Sequence, residues 1–204
     1  MRSGSSAAYV IRCLAKGTGL FIVGCVVICL PPAFADPASE SSSLPPDKVF
    51  ERMLILTQRG DYEKVTKALS LVSPVAYAVD KVFAVRIEEE LNLAIASRDS
   101  ARVLATVHRF IGLSICVLLL DSCPAGSDRN TSTASIRHAY ALYLVLDHGV
   151  QEKNFQLSKD MKNTFRRLNA ISGYQPEECH QLVRQIRQTL NNLFQVFSNV
   201  SPSL

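Results

Sequence analysis

The chain contains no Gly-x-Ser-x-Gly turn, no phosphate-cradling glycine loop, no Cys-x-x-Cys pair and no Cys-x-x-Cys-His attachment signal. These absences argue against a hydrolase nucleophile elbow, a nucleotide-phosphate loop, a thioredoxin-like redox pair and covalently bound haem. No stretch alternates apolar and polar residues over the length of a strand, which argues against a sheet. The helix, Arg-Gly-Asp-Tyr, helix pattern near residue 60 has no second copy at a fixed period, so a solenoid is excluded as well.

What remains is a chain of 204 residues, 48% hydrophobic and 20% charged, long enough for one domain with a substantial core and too short for two comfortable ones. Its first 35 residues read as a targeting segment. Arg2, Arg12 and Lys16 precede an apolar run over residues 17–30, followed by Pro31-Pro32 and Ala33-Phe34-Ala35. That order is a secretory signal peptide with a small-residue cleavage site before Asp36. The apolar run falls short of the roughly 20 residues that span a bilayer, so an uncleaved membrane anchor is the alternative rather than the expectation. Ile22-Val23-Gly24-Cys25 resembles a lipobox, which offers a second route to the membrane through a lipidated Cys25.

Cleavage changes the charge argument. The leader holds three of the 22 Lys+Arg and none of the 18 Asp+Glu, so the mature chain keeps 19 against 18 and a net charge of +1 in place of +4. Nucleic-acid binding, which requires a basic stripe, loses its support. Three of the six cysteines leave with the leader, and Cys116, Cys123 and Cys179 remain in what is expected to be an oxidising periplasmic or extracellular compartment.

Residues 36–46, DPASESSSLPP, carry one large apolar side chain and are expected to form a disordered Ser/Pro-rich tether. From residue 47 onward the spacing is helical throughout. Asp47 reads as an N-cap for a helix through Leu56 that Gly60 stops, and Asp61 as the cap of a second helix reaching Val72. Val75, Val79, Val82, Phe83, Ile87, Leu91 and Ile95 recur three or four apart and predict a single helix of about 22 residues. Ser97-Arg98-Asp99-Ser100 then turns the chain into a helix through Leu120, antiparallel to the one before, whose last eleven residues are apolar almost all round. A polar loop over residues 121–133 leads to a helix closing at His148-Gly149, a helix from Phe155 to Ile171, and a last helix from Pro176 to Phe197. The expected fold is all-α: an up-and-down antiparallel bundle of about five to six helices over residues 47–204, following a cleaved signal peptide.

Topology then orders the cysteines. If helices alternate in direction, the loop holding Cys123 and the start of the last helix meet at one end, so Cys123 with Cys179 is the expected disulfide, with Cys116–Cys179 as the alternative. Cys116 and Cys123 are seven apart, and in one helix their separation of about 10 Å exceeds the roughly 7 Å reach of a disulfide.

Metal chemistry has two candidate places. Glu177 and His180 form the chain's single Glu-x-x-His, whereas a di-iron bundle needs two such pairs and two further glutamates. Glu90, at the edge of the 88–90 acidic run, is expected near His108 or Arg86 once the hairpin folds about Arg98, as a structural ion pair or as a ligand or proton-handling group. Non-covalent haem through a single His or Met is the other cofactor possibility, and no cofactor is the main expectation. His148, beside Gly149, reads as a helix cap, and Asn130-Thr131-Ser132 and Asn199-Val200-Ser201 match the glycosylation acceptor pattern. The polar face of the last helix reads as solvated surface, or alternatively as a partner-binding face. No catalytic set is complete. The sequence therefore points to an exported accessory bundle that binds a protein partner, with a metal- or haem-handling bundle of the cell envelope as the alternative.

Overall fold

The computed structural model describes residues 44–120, 122–123, 129–171 and 176–198, and among these every regular element is a helix. The leader with Cys25, most of the tether, residues 124–128 and the acceptor pattern at Asn199 lie outside the described residues. Eight helices follow in order: α1 (Pro46–Gln58), α2 (Tyr62–Leu71), α3 (Ser73–Phe83), α4 (Ile87–Ser97), α5 (Ser100–Leu120), α6 (Arg129–Lys153), α7 (Phe155–Ile171) and α8 (Pro176–Ser198).

The all-α expectation holds, and the count exceeds the expected five to six. The largest departure is the single helix expected over residues 75–95, which is two helices of 11 residues each, α3 and α4. Ala84 adopts a left-handed conformation (φ 52°), and the Asp80 carboxylate accepts the Ile87 amide at 2.7 Å, ending one helix and starting the next. Val79, Phe83, Ile87 and Leu91 keep their four-residue spacing across this break, so periodicity alone could not show it. Glu88, Glu89 and Glu90 fall in the first turn of α4, where carboxylates complement the helix dipole.

Two further boundaries move. Pro45 stands at the N-cap of α1, with Pro46 at its first position and Asp47 inside the first turn, which suits a residue lacking an amide hydrogen. Helix α6 does not close at His148-Gly149 but runs to Lys153, because the turn beyond Gly149 is anchored by buried Val150. Asn154 alone separates α6 from α7, and its Oδ1 caps α7 by accepting the Leu157 amide at 3.0 Å. The caps at Asp61 and Asp99 are as expected: Asp61 accepts the Lys64 amide at 3.4 Å, and Asp99 those of Ala101 and Arg102 at 3.0 and 3.2 Å.

Helix α5 is the axis. It packs against α1, α3, α4, α6 and α8, and buries Val103, Val107, Phe110, Ile111, Ile115 and Leu119. At about 1.5–3 kcal/mol per large apolar side chain, this one seam outweighs any surface contact in the fold. It is also the one helix among the described residues long and apolar enough to cross a membrane by length and composition; here its faces are taken by other helices.

Helices α5 to α8 alternate in direction. The Asp147–Ser158 and Asp147–Lys162 contacts pair α6 antiparallel with α7, and Arg167–Glu178 does so for α7 with α8. Helix α8 returns antiparallel along α5, where the Phe194 ring lies in the space a Cβ at Gly112 would fill. Helices α1 to α4 cover the other side of α5. The Tyr62 hydroxyl donates to the Arg98 carbonyl at 2.8 Å, setting the end of α1 beside the start of α5, and Phe50 meets Phe110 edge-on at 4.9 Å deeper in the core. Helix α1 thus runs antiparallel to α5.

Candidate functional site

The widest concave surface with an apolar floor lies where α1, α5 and α6 meet. Helix α1 buries Val49, Phe50, Met53 and Leu56, and the next residues round, Leu54 and Ile55, turn toward α6. Helix α6 buries Leu142, Tyr143 and Leu146 and presents Ala141, Leu144, Val145, His148 and Glu152 on an adjoining stripe at three- and four-residue spacing. Leu104 and His108, one turn apart on α5, form the bottom. The resulting groove holds about 580 Å³. Ile55 on one bank is 42% exposed and Leu144 on the other 46%. Single exposed apolar residues are ordinary, but here they face one cleft over a shared apolar floor.

Polar groups rim the groove. Asp47, Glu51 and Glu152 contribute carboxylates; the Lys48 ammonium sits 2.9 Å from Glu51, and His148 Nδ1 lies 3.6 Å from Glu152. His148 is therefore a mid-helix residue beside an acid one turn on, not a helix cap. Burial, reinforced by the Lys153 cation, pushes the His108 imidazole down to about 4. At neutral pH the groove floor thus carries an uncharged imidazole rather than a cation.

The two metal candidates separate. His108 lines the groove, whereas Glu90 binds Arg109, the next residue of α5 and about 100° further round the helix, at 2.5 Å. Arg86 meets Glu89 at 3.2 Å. A guanidinium on Glu90 competes directly with any metal ion for that carboxylate. Glu177 and His180 line a separate open depression at the start of α8, together with Arg167 and Arg184, and Arg167 holds Glu178 at 2.8 Å. Among the described residues no group of three or more His, Cys, Asp or Glu side chains is placed to hold a metal ion.

A buried polar cluster that sequence reasoning missed joins α6 to α7. Asp147, 6% exposed, accepts from Tyr143 Oη at 3.0 Å and Ser158 Oγ at 2.6 Å, and Lys162 Nζ lies 2.5 Å from its other oxygen. Burial raises the Asp147 carboxyl, but the hydrogen bonds from Lys162, Ser158 and Tyr143 outweigh it and hold the group below the ordinary carboxylate range. Tyr143 moves up, through burial first and the adjoining carboxylate second. A signal existed: Tyr143 with Asp147 and Ser158 with Lys162 are both i, i+4 pairs flanking the one-residue link at Asn154.

At the far end of α5, Cys123 and Cys179 form the disulfide, with Cα atoms 5.8 Å apart. Cys116 is a free, buried thiol; burial pushes it up to about 11, with Arg187 offsetting part of the effect. Such a thiol is inert at neutral pH. Ser132, the last residue of the first acceptor pattern, is buried and donates its hydroxyl to the Ser122 carbonyl. With the geometry in place, comparison with family models, curated proteins and solved structures finds no match for the chain.

Proposed function

We propose that this protein is an exported accessory bundle that acts by binding a protein partner, and that the groove between α1 and α6 is where it binds. The observation that carries the reading is the pair of half-exposed apolar banks, Ile55 and Leu144, over a floor of Leu54, Leu104 and Val145. Ligand and partner sites are concave, mostly apolar and edged by a few polar groups. Export is supported by the leader pattern and by the Cys123–Cys179 disulfide, since such bonds persist in oxidising compartments.

The test is a photo-crosslinking residue at Leu144, compared with one at Leu71, which is 54% exposed and lies away from the groove. In the native cell a discrete protein adduct is expected at Leu144 and none at Leu71. No adduct at Leu144, or equal adducts at both, sinks the reading. The intact mass of the exported protein is expected to begin at Asp36.

A further inference from the structure

We infer that the groove's partner is a short amphipathic helix with an apolar middle and lysine or arginine at both ends. The inference rests on the proposed groove and adds the chemistry of its occupant.

Length comes first. The groove is lined along α1 from Asp47 to Gln58 and along α6 from Ala141 to Glu152, twelve residues on each bank. Twelve helical residues extend about 16–18 Å, or roughly three turns. An occupant helix of that length presents apolar anchors at i, i+3 or i+4, and i+7, enough to meet Ile55, Leu144 and the floor between them.

Charge fixes the ends. Helices α1 and α6 both run antiparallel to α5, and so parallel to each other. Asp47 and Glu51 therefore lie at one end of the groove and Glu152 at the other, with the apolar floor between. Lys48 is the one lysine or arginine lining the groove, and it is already engaged by Glu51. The bottom adds no positive charge at neutral pH, because the His108 imidazole there is uncharged. The rim is therefore acidic at both ends, which favours cationic flanks and disfavours acidic ones. The same argument selects among occupants. A second copy of this groove would set carboxylate against carboxylate, and an anionic bilayer would be repelled by the rim.

The test uses the full chain with its disulfide intact and a labelled helical peptide of about 14 residues, with leucines at i, i+3 and i+7 and two lysines at each end. Its counterpart has glutamates in place of the lysines. Binding is read by fluorescence anisotropy at neutral pH and low salt. The lysine peptide is expected to bind at least about tenfold more tightly than the glutamate peptide, and a Asp47→Lys, Glu152→Lys variant to lose or invert that preference while keeping its helical circular dichroism. Equal or better binding of the glutamate peptide overturns the inference, as does failure of both peptides, or binding to phosphatidylglycerol vesicles in preference to the lysine peptide. A Leu144 adduct obtained alongside any of these outcomes would leave the groove as a binding site and discard only the basic helix. If the adduct fails too, the groove itself is rejected.

Discussion

Helix α6 has two long seams, and they are finished in opposite ways. Toward α7 it is sealed: Tyr140, Tyr143 and Phe165 pack ring on ring at 5.4–6.5 Å, and the one buried carboxylate, Asp147, takes two hydroxyl donors and an ammonium. Toward α1 it is open, with Leu144 and Ile55 half in solvent above an apolar floor. Both seams use one helix and the same residue types. The difference teaches that apolar surface on α6 is covered where a neighbour runs close alongside, as α7 does after a one-residue link, and stays uncovered where α1 meets it only across the top of α5.

The largest effect is expected where the sealed half is tied together. Cys123 and Cys179 close a loop of 56 residues containing all of α6 and α7, and a crosslink over that length contributes about 4 kcal/mol by restricting the unfolded chain. The double variant Cys123→Ser, Cys179→Ser should lose roughly that amount in urea denaturation. A loss below about 1 kcal/mol would show that packing alone holds this half, and the contrast between the seams would then rest on side chains only.

Next comes the seam itself. Asp147→Ala strands the Lys162 ammonium and two hydroxyls, and breaking such a buried pair costs about 3 kcal/mol. Replacing both partners, as Asp147→Leu with Lys162→Met, should recover most of that loss, because two apolar groups of similar size need no desolvated charge. If the double variant is no better than Asp147→Ala, the cluster is holding α7 by geometry that apolar packing cannot replace.

Acid separates the seams. His108 in the open groove is held at about 4, against 6.5 in an unfolded chain, so folding favours its neutral form. The stability this supplies is complete above pH 6.5 and is lost as pH falls from about 6.5 toward 4, on the order of 2–3 kcal/mol in all. The folded Asp147 carboxyl lies below its ordinary 3.8, so its contribution is present above that value and fails only at lower pH. Denaturation at stepped pH should therefore weaken the groove side first, and His108→Gln should flatten the curve between pH 6.5 and 4 while leaving the drop below it. A wild-type curve that is level to pH 4 would falsify the assignment of His108 as a buried neutral imidazole.

How far these features were legible differs by scale. Helical class, the caps at Asp61 and Asp99 and the Cys123–Cys179 pairing follow from periodicity, cap chemistry and alternating direction, all of which tolerate errors of a residue or two. Side-chain partners do not tolerate them. Glu90 was expected opposite His108 and meets Arg109, one residue and about 100° away, and that step separates a groove imidazole from an interhelical ion pair. The break at Ala84 depends on Asp80 reaching the Ile87 amide, a contact seven residues long that leaves the apolar spacing untouched. Leu144 read as one more core residue of its helix. Only the position of α1 shows that it faces an opening.

The smallest expected effect is the most discriminating. Leu144→Ser removes an apolar side chain that already meets solvent over much of its surface and leaves the sealed seam untouched, so stability should change by no more than about 0.5 kcal/mol. Phe165→Ala on the opposite side of α6 removes a fully packed ring and should cost about 3–5 kcal/mol, which sets the scale against which the first value is read. A Leu144→Ser loss above about 1.5 kcal/mol would mean that some part of the chain covers the groove in solution, so that α6 is sealed on both sides. A change near zero leaves an apolar bank whose retention folding stability does not explain, and binding is then the property against which Leu144 must be measured.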